Sequence, residues 1–98
     1  MRHFIVIINY TTDFAEIEPL VPEHRNHLQA GVDTGVILMS GPRIPRTGGF
    51  FIAKADSDVT IQNLIDNDPY RRAGVAEYQI VEFKPGKHQG FLADWIKD

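Results

Sequence analysis

The 98-residue chain contains no cysteine. That absence excludes disulfide stapling, thiolate catalysis and Cys-ligated zinc or iron–sulfur centres, and it suits a reducing compartment. Long apolar runs are missing too, since no stretch approaches the roughly 20 residues that a membrane-spanning helix needs. Phe4-Ile5-Val6-Ile7-Ile8 is too short for a signal-peptide core and has no small-residue cleavage site behind it. A soluble, cytoplasmic protein is expected. Basic charge is not in excess: ten Lys and Arg stand against thirteen Asp and Glu, for a net charge of −3. Such a chain has no broad positive field to draw nucleic acid. Internal repeats, low-complexity tracts and linkers are also lacking, so residues 1–98 are expected to form a single domain.

What is present is an ordinary globular composition, 43% hydrophobic and 23% charged. A core this small leaves much surface uncovered, and pairing with a second copy is a natural way to cover it. From Arg2 to Tyr10 the chain is almost continuously apolar, the pattern of a central strand buried on both faces. Between about Ile17 and Thr34, Val21, Leu28 and Val32 fall on one helical stripe. Pro22 is tolerable in the first turn of that helix, and Gly35 is placed to stop it.

Val36 to Ser40 reads as a second strand, and "GPRIPRTGG" over 41–49 as a loop. Phe50 to Ala55 reads as a third strand, completing a hairpin with a long tip. Asp56 or Ser57 can cap a second helix from about Val59 to Asn67, which carries Ile61, Leu64 and Ile65 on one face. Pro69 ends that helix. A last strand runs from about Ala76 to Lys84, and its change of phase at Val81 and Phe83 suggests a bulge or burial of both faces. The tail over 86–98 pairs Phe91 with Trp95 and Leu92 with Ile96 at i, i+4, as a short amphipathic helix would.

The order is β-α-β-β-α-β, an α+β pattern of the ferredoxin-like type. Both helices should cover one face of the sheet. The other face is apolar as well, and a second subunit laid back to back is the simplest cover, giving a homodimer.

Two histidines lie three residues apart in "PEHRNHLQAG", Pro22 to Gly31. On a helical wheel His24 lies nearer the Val21–Leu28–Val32 stripe, as a packing or pocket-wall residue would, and His27 falls at its edge. Histidines at i, i+3 can reach one metal ion with Glu23 or a distant Asp. The spacing is not that of the zinc motif HExxH, however, and no third ligand is marked. His3 and His88 sit near the chain ends. Neither a metal nor an organic cofactor is expected. Arg43 and Arg46 could draw an anionic phenolate or carboxylate towards a cleft, although two loop arginines are more often simply solvated. Tyr10 suits either a pocket or an interface.

Three stretches together resemble the YciI-like (YCII-domain) family: His27-Leu28, Ser40-Gly41-Pro42, and "DPYRRAG" from Asp68 to Gly74. The final strand, "VAEYQIVEF", is similar to that family's as well. The resemblance reaches from the first strand to about Pro85. It implies a dimeric α/β barrel and a pocket holding a His–Asp pair, which carries over onto His27 and Asp68, with Ser40 at the pocket edge. It also implies a characterised activity, dehydrochlorination of a chlorinated hydroxyhydroquinone in aromatic degradation.

Imidazole titrates near pH ~6.5 and can take up and return a proton at neutral pH. A carboxylate bonded to one ring nitrogen fixes the tautomer. On this reading His27 is the base and Asp68 its orienter. Ser40, His24, Arg43 and Tyr10 bind the small-molecule substrate of a cofactor-free lyase or isomerase. Asp68 also has a purely structural reading, because aspartate before proline is common turn chemistry. The alternative function is a non-catalytic binding or interaction module of the same fold.

Overall fold

In the computed structural model, which describes residues 1–97, the apolar opening segment is strand β1 (Arg2–Tyr10). It lies at the centre of one four-stranded sheet, together with β2 (Ile37–Pro42), β3 (Gly48–Ala55) and β4 (Ala76–Phe83). The strand order is β2-β3-β1-β4 and every neighbouring pair is antiparallel. That is the α+β ferredoxin-like arrangement expected from the element order.

Alternation divides β1 between two faces. Phe4, Val6 and Ile8 are buried, and with Phe51 and Ala53 of β3 they meet the helices. The first helical region is broken into α1 (Phe14–Ile17), a 3₁₀ turn (Glu18–Leu20) and α2 (Val21–Asp33). Pro22 stands in the first turn of α2. Gly35, at φ +82°, takes the left-handed conformation that ends it. From α2, Leu28 enters the core, and Gly31 lets the helix approach β2 so closely that a Cβ there would lie 2.6 Å from the Ile37 side chain. α3 (Asp58–Asp66) is capped by the Ser57 hydroxyl, which accepts from the Thr60 N–H, and it sends Ile61 and Ile65 inward.

Three details depart from the sequence reading. The loop expected over 41–49 is confined to 43–47, because Gly41-Pro42 and Gly48-Gly49 pair as strand. Pro69 ends α3 but also opens a short helix, α4 (Pro69–Arg72), so proline sits where its missing N–H does no harm. β4 pairs with β1 from His3↔Phe83 to Tyr10↔Ala76 without a register shift; the irregularity lies instead in β2, between Ile37 and Met39. The change of phase in β4 has a simpler cause. Val81 and Phe83 belong to the outer face, and the Phe83 ring packs near His3 at 6.2 Å.

That outer face carries Ile5, Ile7, Phe50 and Ile52, all half-buried, with Met39 and Val81 exposed. At one end it is covered by the tail, where a 3₁₀ turn (Gly90–Leu92) leads into α5 (Ala93–Lys97). Trp95 Nε1–H donates to the Gly35 carbonyl at 2.7 Å, Lys54 Nζ donates to the Trp95 carbonyl at 2.9 Å, and the Trp95 ring meets His3 edge-on. Asp98 of the expected tail lies outside the described residues.

Candidate functional site

Asp68 caps α4, its carboxylate accepting the Tyr70 N–H at 3.1 Å. To this extent the turn chemistry of Asp-Pro is real. The carboxylate is nevertheless 1% exposed and serves two further donors. His24 Nδ1 lies 2.7 Å from Oδ1, and the Tyr78 hydroxyl donates to Oδ2 at 2.7 Å. A buried carboxylate accepts and cannot donate, so it selects the His24 tautomer with hydrogen on Nδ1. Nε2 then carries the lone pair, and no protein group among the described residues bonds it.

Three elements converge to make this arrangement. The helical stripe of α2 brings His24 one turn before Leu28; α4 begins at the carboxylate; Tyr78 reaches across from β4. Tyr78 stays protonated, because burial and the adjacent Asp68 carboxylate both push its pKa up. The Tyr70 ring stacks on the His24 ring at 3.9 Å between centroids and 12° between planes, fixing the imidazole from its flat side.

His24 and Tyr70 form part of the wall of a cavity of about 250 Å³. Other walls come from Ile8 and Tyr10 of β1, Leu28 and Val32 of α2, the Ser40-Gly41-Pro42 end of β2, and Arg46 of the loop that follows. Gly49 also lines it, and a Cβ there would stand 2.9 Å from the Gly41 carbonyl oxygen.

The expected residues divide accordingly. His24, Asp68, Ser40 and Tyr10 are brought to this region, though Asp68 stands behind His24 and does not line the cavity. The pairing of His27 with Asp68 is corrected: Asp68 meets His24, whereas His27 Nε2 lies 2.7 Å from the Leu64 carbonyl oxygen and ties α2 to α3. The reason is helical phase. His24 and Leu28, four residues apart, share the face turned to the core, and His27 is rotated towards α3. Arg43 also lies outside the cavity wall, its guanidinium donating to the Asn9 side chain. Arg46 takes the place proposed for it, with its Nε donating to the Tyr10 hydroxyl at a long 3.5 Å and its guanidinium 4.8 Å over the Phe14 ring.

Sequence reasoning missed Tyr70 and Tyr78. Tyr70 was within reach of it, two residues beyond Asp68 in the same motif; Tyr78 is marked only by its inward phase in β4. Among the described residues no three His, Asp or Glu side chains cluster as metal ligands would. No helix among them is long and apolar enough to cross a membrane.

A family model described as the YCII-related domain matches residues 1–84. Among solved structures, the fold is similar to that of 5-chloro-2-hydroxyhydroquinone dehydrochlorinase from Burkholderia phenoliruptrix AC1100, in complex with 2,5-dihydroxybenzoquinone. The TM-score is 0.73 and the identity 19%, over 91% of this chain and 97% of that one. At that identity the likeness speaks to fold alone. No curated protein sequence matches the chain.

Proposed function

We propose, from the premise that the chain belongs to the YCII-related domain family, that it is a cofactor-free lyase in which His24 is the general base and Asp68 its orienter. The single observation that carries this reading is the 2.7 Å contact between His24 Nδ1 and a buried carboxylate, with the ring set in a cavity wall. With Nδ1–H bonded to Asp68, Nε2 is the nitrogen left to take a proton. Asp68 stabilises the imidazolium that results, and Tyr78 keeps the carboxylate from turning away. Such a base supplies about 10²–10⁴-fold in rate, enough where the substrate provides its own electron sink.

Dehydrochlorination of a chlorinated hydroxyhydroquinone, the reaction named for the structurally similar enzyme, fits those means. The chlorine-bearing carbon takes a proton from solvent while the neighbouring hydroxyl gives its own up to solvent, making a ring ketone. His24 then removes a hydroxyl proton, that oxygen becomes a second carbonyl, and the ring electrons expel chloride. The net change is loss of HCl, with no redox partner. Ser40 and Tyr10, both in the cavity wall, are the proposed substrate contacts.

The reading is tested by incubating the protein with 5-chloro-2-hydroxyhydroquinone and measuring released chloride. Release that disappears in His24→Asn and persists in His27→Asn supports it. No release from the unaltered protein removes this substrate, and equal loss in both variants removes His24 as the specific base.

The apolar outer face of the sheet supports a further proposal, a homodimer packed through Ile5, Ile7, Phe50 and Ile52. The exposure of Met39 (49%) and Val81 (38%) beside them favours it. Sedimentation of a dimer that becomes a monomer in Ile7→Glu is the expected result; a monomer at micromolar concentration before any substitution overturns it.

A further inference from the structure

Tyr70 is 1% exposed, yet its hydroxyl has no hydrogen-bond partner among the described residues. A buried hydroxyl left unsatisfied is a rarity that calls for a reason. The neighbouring groups supply one. The Tyr10 ring stands edge-on to Tyr70 at 5.8 Å, and Arg46, an exposed side chain, lies over the same corner with its Nε on the Tyr10 hydroxyl. The charged side chains of the cavity wall are equally one-sided. Arg25 and Arg46 line it and no carboxylate does, in a chain whose net charge is −3. Ile8, Leu28 and Val32 add apolar wall, and Gln29 and Ser40 are its uncharged polar part.

We infer that the Tyr70 hydroxyl and the Arg46 guanidinium, backed by Tyr10, form a recognition subsite for an anionic ring oxygen, so that the cavity takes a small planar ring in its phenolate or enolate form. This inference rests on the reading of the cavity as the substrate site and adds what selects the substrate. Tyr70 remains a neutral donor throughout, since burial first and the Tyr10 hydroxyl next push its pKa up to about 12. A neutral phenol facing an arginine is suited to a negatively charged acceptor, with which a hydrogen bond is stronger than with a neutral one. The long, weak contact of Arg46 to Tyr10 is one that a ligand anion can replace. When His24 removes a hydroxyl proton, the charge that develops on the ring oxygen has a donor in place to receive it.

The test is calorimetric titration of the intact protein with 2,5-dihydroxybenzoquinone, ionised at neutral pH, and with hydroquinone, a neutral ring of similar size. The unaltered protein is expected to bind the anion more tightly. Tyr70→Phe should weaken the anion by about 10–100-fold and leave hydroquinone unchanged. Because it deletes a hydroxyl with no partner, it should not lower the melting temperature. Arg46→Gln, at an exposed position, should weaken the anion and flatten the salt dependence of its binding. Equal anion affinity in Tyr70→Phe, or loss of folding in that variant, overturns the subsite while leaving the cavity as a ring site. Failure of the unaltered protein to bind either ring removes the cavity reading itself, and the subsite with it.

Discussion

The rings of His24 and Tyr70 lie nearly parallel, 3.9 Å apart, with Asp68 bonded to both residues: to the imidazole of one and the backbone N–H of the other. One carboxylate therefore organises a helix start and a histidine tautomer at once. Asp68→Asn keeps the volume but replaces one of the two acceptor oxygens by an NH2 donor and removes the negative charge that His24 and Tyr78 face. We expect it to lose about 1.5–3 kcal/mol of stability in urea unfolding. Chloride release should fall with it, because the imidazolium loses its counter-charge.

Tyr78→Phe separates support from chemistry. It removes one charge-assisted bond to Asp68, for a similar loss of about 1.5–3 kcal/mol, but leaves the His24 contact in place. We expect the folded variant to retain most of its turnover, as measured by chloride release well below its melting temperature. A collapse of turnover to the level of His24→Asn would make Tyr78 a participant in the reaction.

His27 offers a contrast within the same helix. His27→Ala removes a single bond to the Leu64 carbonyl, so a loss of about 0.5–1.5 kcal/mol is expected, with ligand binding in the cavity unaltered. Differential scanning fluorimetry and titration with 2,5-dihydroxybenzoquinone read the two effects separately.

Much of this architecture was legible in the sequence, for identifiable reasons. Continuous Ile and Val in β1 require a central strand, Gly35 requires a helix stop, and the alternation of apolar segments leaves β-α-β-β-α-β as the order. At the site, Asp68 is marked by Pro69, and Ser40 by the end of a strand before Gly41-Pro42. The choice between His24 and His27 was also legible, since the stripe through Leu28 favours His24 for the inward face; the family resemblance pointed to the other. What no local pattern marks is convergence. Tyr78 reaches Asp68 through the β1–β4 pairing, and Arg46 rather than Arg43 reaches the cavity through the path of the short loop over 43–47. Both are set by tertiary placement.

Gly48 tests how tightly the sheet is packed beneath the site. It pairs with Asn9 of β1, and a Cβ at this position would fall 1.8 Å from the Ile8 carbonyl oxygen, a backbone atom that cannot step aside. Gly48→Ala must therefore separate β1 from β3 at the end that carries Tyr10. We expect a loss of about 1–3 kcal/mol or more, measured by denaturant unfolding, and weaker ligand binding in whatever fraction folds.

His3 gives the fold a pH dependence independent of the cavity. It is 6% exposed, Nε2 has no partner among the described residues, and Phe83 and Trp95 pack against its ring. Burial lowers its pKa most; the backbone at Ile96 partly opposes this, while the amino terminus and Lys54 lower it further. The unfolded chain thus binds a proton at His3 more readily than the folded one does. Stability from this group is complete above the unfolded value of about 6.5 and declines as pH falls through it, levelling off below the folded pKa. His3→Gln should flatten that part of the stability profile as pH falls below about 6.5, the ordinary histidine value from which the shift runs downward. The fluorescence of Trp95, the only tryptophan, reports the same region directly. Its emission should shift at higher pH than global unfolding if the tail loosens first, and an unchanged profile in His3→Gln would remove His3 as the source.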